Sequence, residues 1–321
     1  MADMTYRRLG DSGLTVSTVG LGCNAFGSRV DADGVREVVD AAYDAGITFF
    51  DTADIYGTGA SEELLGAALA GRRDEIVLAT KFGKDMQGAN GRDFGARGSR
   101  RYIRTAVEAS LRRLGTDHID LYQMHEPDPA TPMDETLEAL TELVREGKVR
   151  YVGSSQFAAW QVADADWTAR VGGTARMIST QDNYNLLERD VERELVPACE
   201  QFGVGLIPYF PLAKGLLTGK YRRGEPAPEG TNLARRAGVL ESADFDRIEA
   251  LQRYADARGL PMVSVAIGGL AAQPAVATVI AGATRAAQVV ANAAAAQWEP
   301  TAEDLAELDE IMPGPAALPG R

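Results

Sequence analysis

Eight short apolar, β-rich runs recur along this chain, and helical patterning fills the intervals between them. The runs cover residues 16–23, 47–53, 76–81, 119–125, 149–155, 177–183, 203–209 and 276–282. They are continuously apolar rather than alternating, as strands of a parallel sheet are when both faces are covered. The intervals carry helix start and stop signals. "DGVREVVDAAYDAG" ends on Gly46, "SRRYIRTAVEASLRRLG" closes on Gly115, and "PMDETLEALTELVREGK" opens on Pro132. Eight strand–helix alternations predict an α/β fold of the (β/α)8 barrel type. A doubly wound sheet is the alternative, but its G-x-G-x-x-G fingerprint is missing. "GLGCNAFG" has the glycines without a helical pattern directly after it.

Barrels of this type run past 250 residues as one domain, so residues 1–321 are expected to form a single one. "YRRLGDSGLTVS" reads as a hairpin that plugs the barrel bottom. Two loops are longer than a barrel needs, 82–98 and 210–238, and both follow strand C-termini, where barrel active sites are built. "TAEDLAELDEIM" reads as a helix with Thr301 and Asp304 as a capping pair, and 312–321 as a flexible tail.

Composition narrows the function classes. A net charge of -13 argues against nucleic-acid and anionic-membrane partners. No apolar run approaches the ~20 residues that cross a bilayer. The start "MADMTYRRLGDSGL" lacks the apolar core of a signal peptide, and the two cysteines are too few for a disulfide framework; both point to the cytoplasm. With two histidines and no paired cysteine spacing, no metal site is expected.

The strand ends carry the chemistry. "FFDTADIYG" leaves an apolar strand for Asp51 and, five residues on, Tyr56; the next two strands end in Lys81 and His125. Each has an ordinary structural reading alone: a capping aspartate, a packed tyrosine, a snorkelling lysine, a hydrogen-bonded histidine. Strand C-termini of a barrel converge on one mouth, however, so these four are expected to meet. A lysine ammonium beside a phenol lowers a pKa that is otherwise near ~10, an aspartate holds the ammonium, and a histidine orients a carbonyl oxygen. That set suits proton delivery to an oxygen gaining negative charge, and the matching hydride requires a nicotinamide cofactor.

"FDTADIYG", "LATKFG", "LGTDHIDLYQMHEPD", "GSSQF" and "YFPLAKGLLTGK" together resemble the aldo-keto reductase superfamily, in order and over nearly the whole chain. The likeness is to the group holding bacterial aldo-keto reductases and potassium-channel β-subunits. It implies a (β/α)8 barrel, NADP(H)-dependent reduction of an aldehyde or ketone, and a tetrad at Asp51, Tyr56, Lys81 and His125. It also implies cofactor contacts. Gly22 and Cys23 lie at the first strand end. Ser155, Gln156 and Gln181 hold the carboxamide, with Gln156 standing where the family has asparagine. Tyr209 stacks on the nicotinamide. Pro211, Leu212, Gly215 and Lys220 lie at the pyrophosphate, with Phe210 in place of the usual serine. Gly282, Thr284, Arg285, Gln288 and Asn292 take the adenosine end. Phe26, Phe82 and Trp160 are the implied substrate pocket. The partner is a small carbonyl or alcohol; the oligomeric state stays open. A cofactor-binding regulatory subunit without turnover is the alternative, and a sugar-phosphate isomerase on a similar barrel is a third reading.

Overall fold

The computed structural model describes residues 4–235 and 237–315. Strands β1 (Tyr6–Arg8) and β2 (Thr15–Ser17) pair antiparallel as the expected hairpin. Eight parallel strands then form the barrel: β3 (Val19–Gly22), β4 (Phe49–Asp51), β5 (Val77–Phe82), β6 (Ile119–Met124), β7 (Val149–Ser155), β8 (Met177–Asn183), β9 (Gly205–Tyr209) and β10 (Val279–Gly282). β3 to β9 pair in chain order and β10 pairs back onto β3. A parallel bridge between Leu206 and Val276 closes the ring, through Leu206 N–H to Ala275 O at 2.7 Å and Ala277 N–H to Leu206 O at 3.0 Å.

The expected strand 16–23 is two strands. At Ser17 and Thr18 the chain changes partners: Ser17 exchanges hydrogen bonds with Thr48 through both side chains, and Thr18 N–H donates to Thr5 O. The hairpin ends there and the barrel begins. The run 276–282 contributes only Val279–Gly282 as strand, its front part going into the closing bridge.

Helices α1 (Ala32–Asp44), α2 (Ala60–Ala68), α3 (Arg100–Leu114), α4 (Met133–Arg145), α5 (Ala159–Gly172) and α6 (Leu195–Phe202) return the chain between strands. α7 (Ala237–Glu241), α8 (Phe245–Ala257) and α9 (Met262–Ala271) lie between β9 and β10, followed by α10 (Ala286–Ala295) and α11 (Ala302–Ile311). The local logic is visible in α1. Asp31 accepts from Gly34 N–H at its start, and Val35, Val38, Val39 and Ala42 form a buried stripe at helical spacing. Thr301 and Asp304 form the expected capping box of α11. Of the expected tail, residues 316–321 lie outside the described residues, and Met312 is fully buried with its carbonyl accepting from Arg189. Arg236, within the long loop 210–238, also lies outside them.

Alternation along the strands sorts two cores. Phe49, Val77, Ala79, Leu121 and Ile207 face the barrel interior together with the hairpin's Leu9, Leu14 and Val16. Phe50, Leu78, Phe82 and Tyr122 face the helices. The hairpin thus plugs the N-terminal end of the strands. Its tip depends on Gly10, which has φ +55 and sits where a Cβ would stand 2.5 Å from Gly203 O. Gly10→Ala combines left-handed backbone with overpacking against main chain, and is expected to cost about 2–4 kcal/mol of stability. A urea midpoint equal to wild type would show that the plug adjusts freely.

Candidate active site

Above the apolar plug the barrel interior turns polar. Asp51 ends β4, Lys81 is the penultimate residue of β5, and His125 follows β6 directly. Tyr56 stands in the turn after β4. The structure brings all four together. Lys81 Nζ donates to Asp51 Oδ2 at 2.6 Å, to Thr52 O at 2.9 Å and to Tyr56 Oη at 3.4 Å. The Tyr56 and His125 rings meet edge to face, with centroids 5.9 Å apart. Lys81 and Asp51 are buried, Tyr56 is half-buried, and His125 Nδ1 is buried without a protein partner.

Gln123, absent from the sequence reading, belongs to this network. Its Nε2 donates to Asp51 Oδ1 at 3.1 Å, and Gln181 Nε2 donates to the same oxygen at 2.9 Å. The strand period signals it: Leu121, Gln123 and His125 alternate on one side of β6, and a buried strand has no other reason to turn a glutamine inward.

The electrostatics refine the expected role of the lysine. Burial works against the Lys81 charge, but Asp51 and Tyr56 beside it hold its pKa above the ordinary lysine value. Burial raises Tyr56, and the nearby Lys81 offsets only part of that rise. Tyr56 therefore stays protonated at neutral pH, contrary to a lysine-lowered phenol. Burial, then the Lys81 and Lys84 charges, push His125 down to about 2, so its ring is neutral. The site combines a phenol carrying a proton, a fixed ammonium to stabilise its conjugate base, and a neutral imidazole with a free nitrogen. That is equipment for general-acid chemistry on a carbonyl oxygen.

The other expected residues divide. Ser155 is buried at the end of β7 in register with Gln181. Gln156 has φ +59, and its side-chain amide reaches back to donate to His125 O at 3.0 Å, so its extra length is spent locally. Cys23 is fully buried, its N–H donating to Asp51 O and its carbonyl accepting from Ser61, which leaves Gly22 as the accessible member of that pair. Tyr209 ends β9 half-buried, edge to face with the partly exposed Phe210. Pro211 is buried and Leu212 half-buried. Phe210, Ala213, Lys214 and Gly215 all have positive φ, a tightly wound backbone in which Gly215 reaches +111. Lys220 is exposed, over the Tyr221 ring. Gly282 is exposed and registers with Gly22. Thr284 gives both its N–H and hydroxyl to Gln288 Oε1, Arg285 is exposed at the start of α10, and Asn292 is buried.

The pocket expectation is corrected for two residues. Phe82 is fully buried and stacked on Tyr122 at 4.7 Å, because strand alternation sends it outward when Lys81 points in. Phe26 is fully buried in the same outer core. Trp160, in the first turn of α5, is 68% exposed. Among the described residues no cluster is suited to hold a metal, and no helix is long and apolar enough to cross a membrane.

Known proteins resemble the whole chain. It is 38% identical to an uncharacterized oxidoreductase, YrpG, of Bacillus subtilis (strain 168), over 97% of each chain. It is 36% identical to the versiconal hemiacetal acetate reductase of Aspergillus parasiticus, over 99% of each. It is 35% identical to a probable voltage-gated potassium channel subunit beta of Oryza sativa subsp. japonica, over 90% of each. The model of the Aldo/keto reductase family matches residues 18–313. With the barrel and the converging strand ends, this makes the chain a member of the aldo/keto reductase family, an oxidoreductase fold built for small carbonyl compounds.

Proposed function

We propose that the chain interconverts an aldehyde or ketone and its alcohol with NADP(H), using Tyr56 as the proton donor in reduction. The observation that carries this reading is the Lys81 ammonium standing between the Asp51 carboxylate and the Tyr56 hydroxyl, at 2.6 and 3.4 Å, at the strand C-terminal end of the barrel. Hydride for the carbonyl carbon would come from a nicotinamide held at this mouth. Tyr56 gives its proton to the carbonyl oxygen, and Lys81 stabilises the phenolate left behind. Asp51, fixed by Gln123 and Gln181, keeps the ammonium in place. His125 is the neutral donor that orients the oxygen. Alcohol oxidation returns the proton to Tyr56.

The residues fit such a cofactor. The buried His125 Nδ1 has no protein partner, and the half-buried Tyr209 ring leaves aromatic surface for a ligand at the mouth. Ser155, Gln156 and Gln181 would hold the carboxamide; Tyr209 the ring; Pro211, Leu212, Gly215 and Lys220 the pyrophosphate; Gly22, Gly282, Thr284, Arg285, Gln288 and Asn292 the adenosine side. The two buried free thiols, Cys23 and Cys199, support a cytoplasmic location. The test is NADPH oxidation with a panel of simple aldehydes. Saturable NADPH binding with no turnover would instead favour the regulatory-subunit reading, which the channel-subunit relative motivates.

Arg285 is the charged group that would hold a 2′-phosphate on this reading, since Gln288 already occupies the Thr284 donors. One charge-assisted bond is worth about 1.5–3 kcal/mol, and exposure and salt reduce it. Arg285→Ala is expected to raise KM for NADPH about tenfold and leave that for NADH nearly unchanged. An equal loss for both cofactors would show that Arg285 does not read the phosphate.

A further inference from the structure

Behind the mouth, on the helix side of β4 and β5, lies a second polar cluster that the chemistry above does not use. Asp54 is fully buried in the turn between Asp51 and Tyr56. Its N–H donates to Lys81 O at 3.2 Å, so this one residue ties the Tyr56 turn to the backbone that carries the ammonium. Its Oδ2 accepts from Asn90 Nδ2 at 2.8 Å, an anchor supplied by the long loop after β5. Its Oδ1 is buried with no partner.

A second carboxylate, Glu62 of α2, is fully buried in the same cluster. Two nitrogens of the Arg113 guanidinium, from α3, are committed elsewhere than Asp54: Nε pairs with Glu62 Oε2 at 2.6 Å and Nη1 donates to Asn90 Oδ1 at 3.0 Å, while Nη2 is buried without a partner. Thr80, next to Lys81 on β5, donates to Glu62 Oε1 at 2.6 Å. Tyr102 of α3, beside Asn90, and Tyr122 of β6 complete the surroundings, and the Tyr122 hydroxyl is buried without a partner. Two buried carboxylates therefore share one positive charge. If both ionise, the cluster holds an uncompensated negative charge away from water, which is costly.

We infer that Asp54 is a positioning residue that works as a neutral carboxylic acid, and that its ionisation loosens the turn carrying Tyr56 from the Lys81 backbone. The inference rests on the catalytic reading of Tyr56 and Lys81. With its proton on, Asp54 accepts from Asn90 through one oxygen and leaves Arg113 to Glu62. With its proton off, it competes with Glu62 for the guanidinium, and either contact of the turn must give. Burial first, and the Glu62 carboxylate second, push its ionisation up to about 7, with Arg113, the Ile55 N–H and Asn90 opposing. Tyr56 stays protonated and His125 neutral through that range, so a rate change near neutrality would not come from them.

The stability consequence has a definite sign. The folded value lies above the ordinary 3.8, so the stabilisation is complete below about 4 and is lost as pH rises through about 7. Asp54→Asn imitates the protonated form at every pH. Its Tm, measured without ligand from pH 5.5 to 9, is expected to gain on wild type as pH rises through 7. In turnover, the wild-type kcat is expected to fall several-fold between pH 6 and 8.5, and the Asp54→Asn profile to be flat whatever its level. Glu62→Gln removes the second negative charge and frees the guanidinium for Asp54, so it is expected to move the wild-type fall to lower pH. That variant decides the matter if Asp54→Asn folds poorly. An Asp54→Asn protein with the wild-type pH dependence of both Tm and kcat overturns the inference. If Tyr56→Phe is inactive in that same comparison, the positioning role alone has failed. If Tyr56→Phe is fully active, the catalytic reading has failed, and the ligand-free Tm difference still decides whether Asp54 is held neutral.

Discussion

Tyr56→Phe is expected to lower kcat for carbonyl reduction about 10²–10⁴-fold, the range associated with a positioned general acid. The substitution removes one oxygen and little else. The ring remains to pack edge to face on His125, and Lys81 keeps its bonds to Asp51 and to Thr52 O. Stability should therefore change by less than about 1 kcal/mol. Cofactor affinity, measured by fluorescence titration with NADPH, should stay within a few-fold of wild type, since the cofactor is assigned to other residues. The informative quantity is kcat with cofactor saturating. A wild-type kcat in this variant would remove Tyr56 from the chemistry and leave the buried ammonium without a catalytic purpose.

Lys81→Met is expected to damage two properties that a second substitution separates. Lys81 and Asp51 are both almost completely buried. Taking away the ammonium leaves a buried carboxylate held by only two amide groups, from Gln123 and Gln181. Breaking a buried pair from one side costs about 3–5 kcal/mol, and that loss should appear in urea unfolding. Adding Asp51→Asn removes the stranded charge while preserving the acceptor for both glutamines, so the double variant is expected to regain most of the stability. Its rate should not recover. Without the ammonium nothing stabilises the Tyr56 phenolate, and kcat should remain at least about 10²-fold below wild type. Recovery of rate with stability in the double variant would mean that Lys81 matters only as a packed structural group.

The sequence makes the barrel and the tetrad legible for the same reason. Each strand reads as a compact apolar block, and the residue that breaks the apolarity at its C-terminal end is delivered by the fold to a common place. Asp51, Lys81 and His125 needed no knowledge of distant contacts, only of where strands end. Phe82 was misplaced because it also follows an apolar run; the period of two sends it to the opposite face from Lys81. Asp54, Glu62, Asn90 and Arg113 come from a turn, a helix, a loop and another helix. Nothing in their spacing says that they converge. The polar residues proposed for the adenosine end were visible after β10, but not that Gln288 folds back on Thr284, because that is a local choice among side-chain partners.

The bridge at Leu206 gives the barrel a seam. Neighbours such as β6 and β7 run in register over many residues, whereas β9 meets the chain before β10 through Leu206 alone among the described residues. The joint of β3 with β4 is also short, two paired residues, which leaves the one at Leu206 the least paired in the hoop and the first expected to open. The two strands flanking the joint end in Tyr209 and Gly282, the residues proposed for opposite ends of one dinucleotide. A ligand lying across both would act as a clasp on the hoop. The same bonds that seat it would then keep the wall from parting, and the empty protein would breathe along one vertical line while the loaded protein would not.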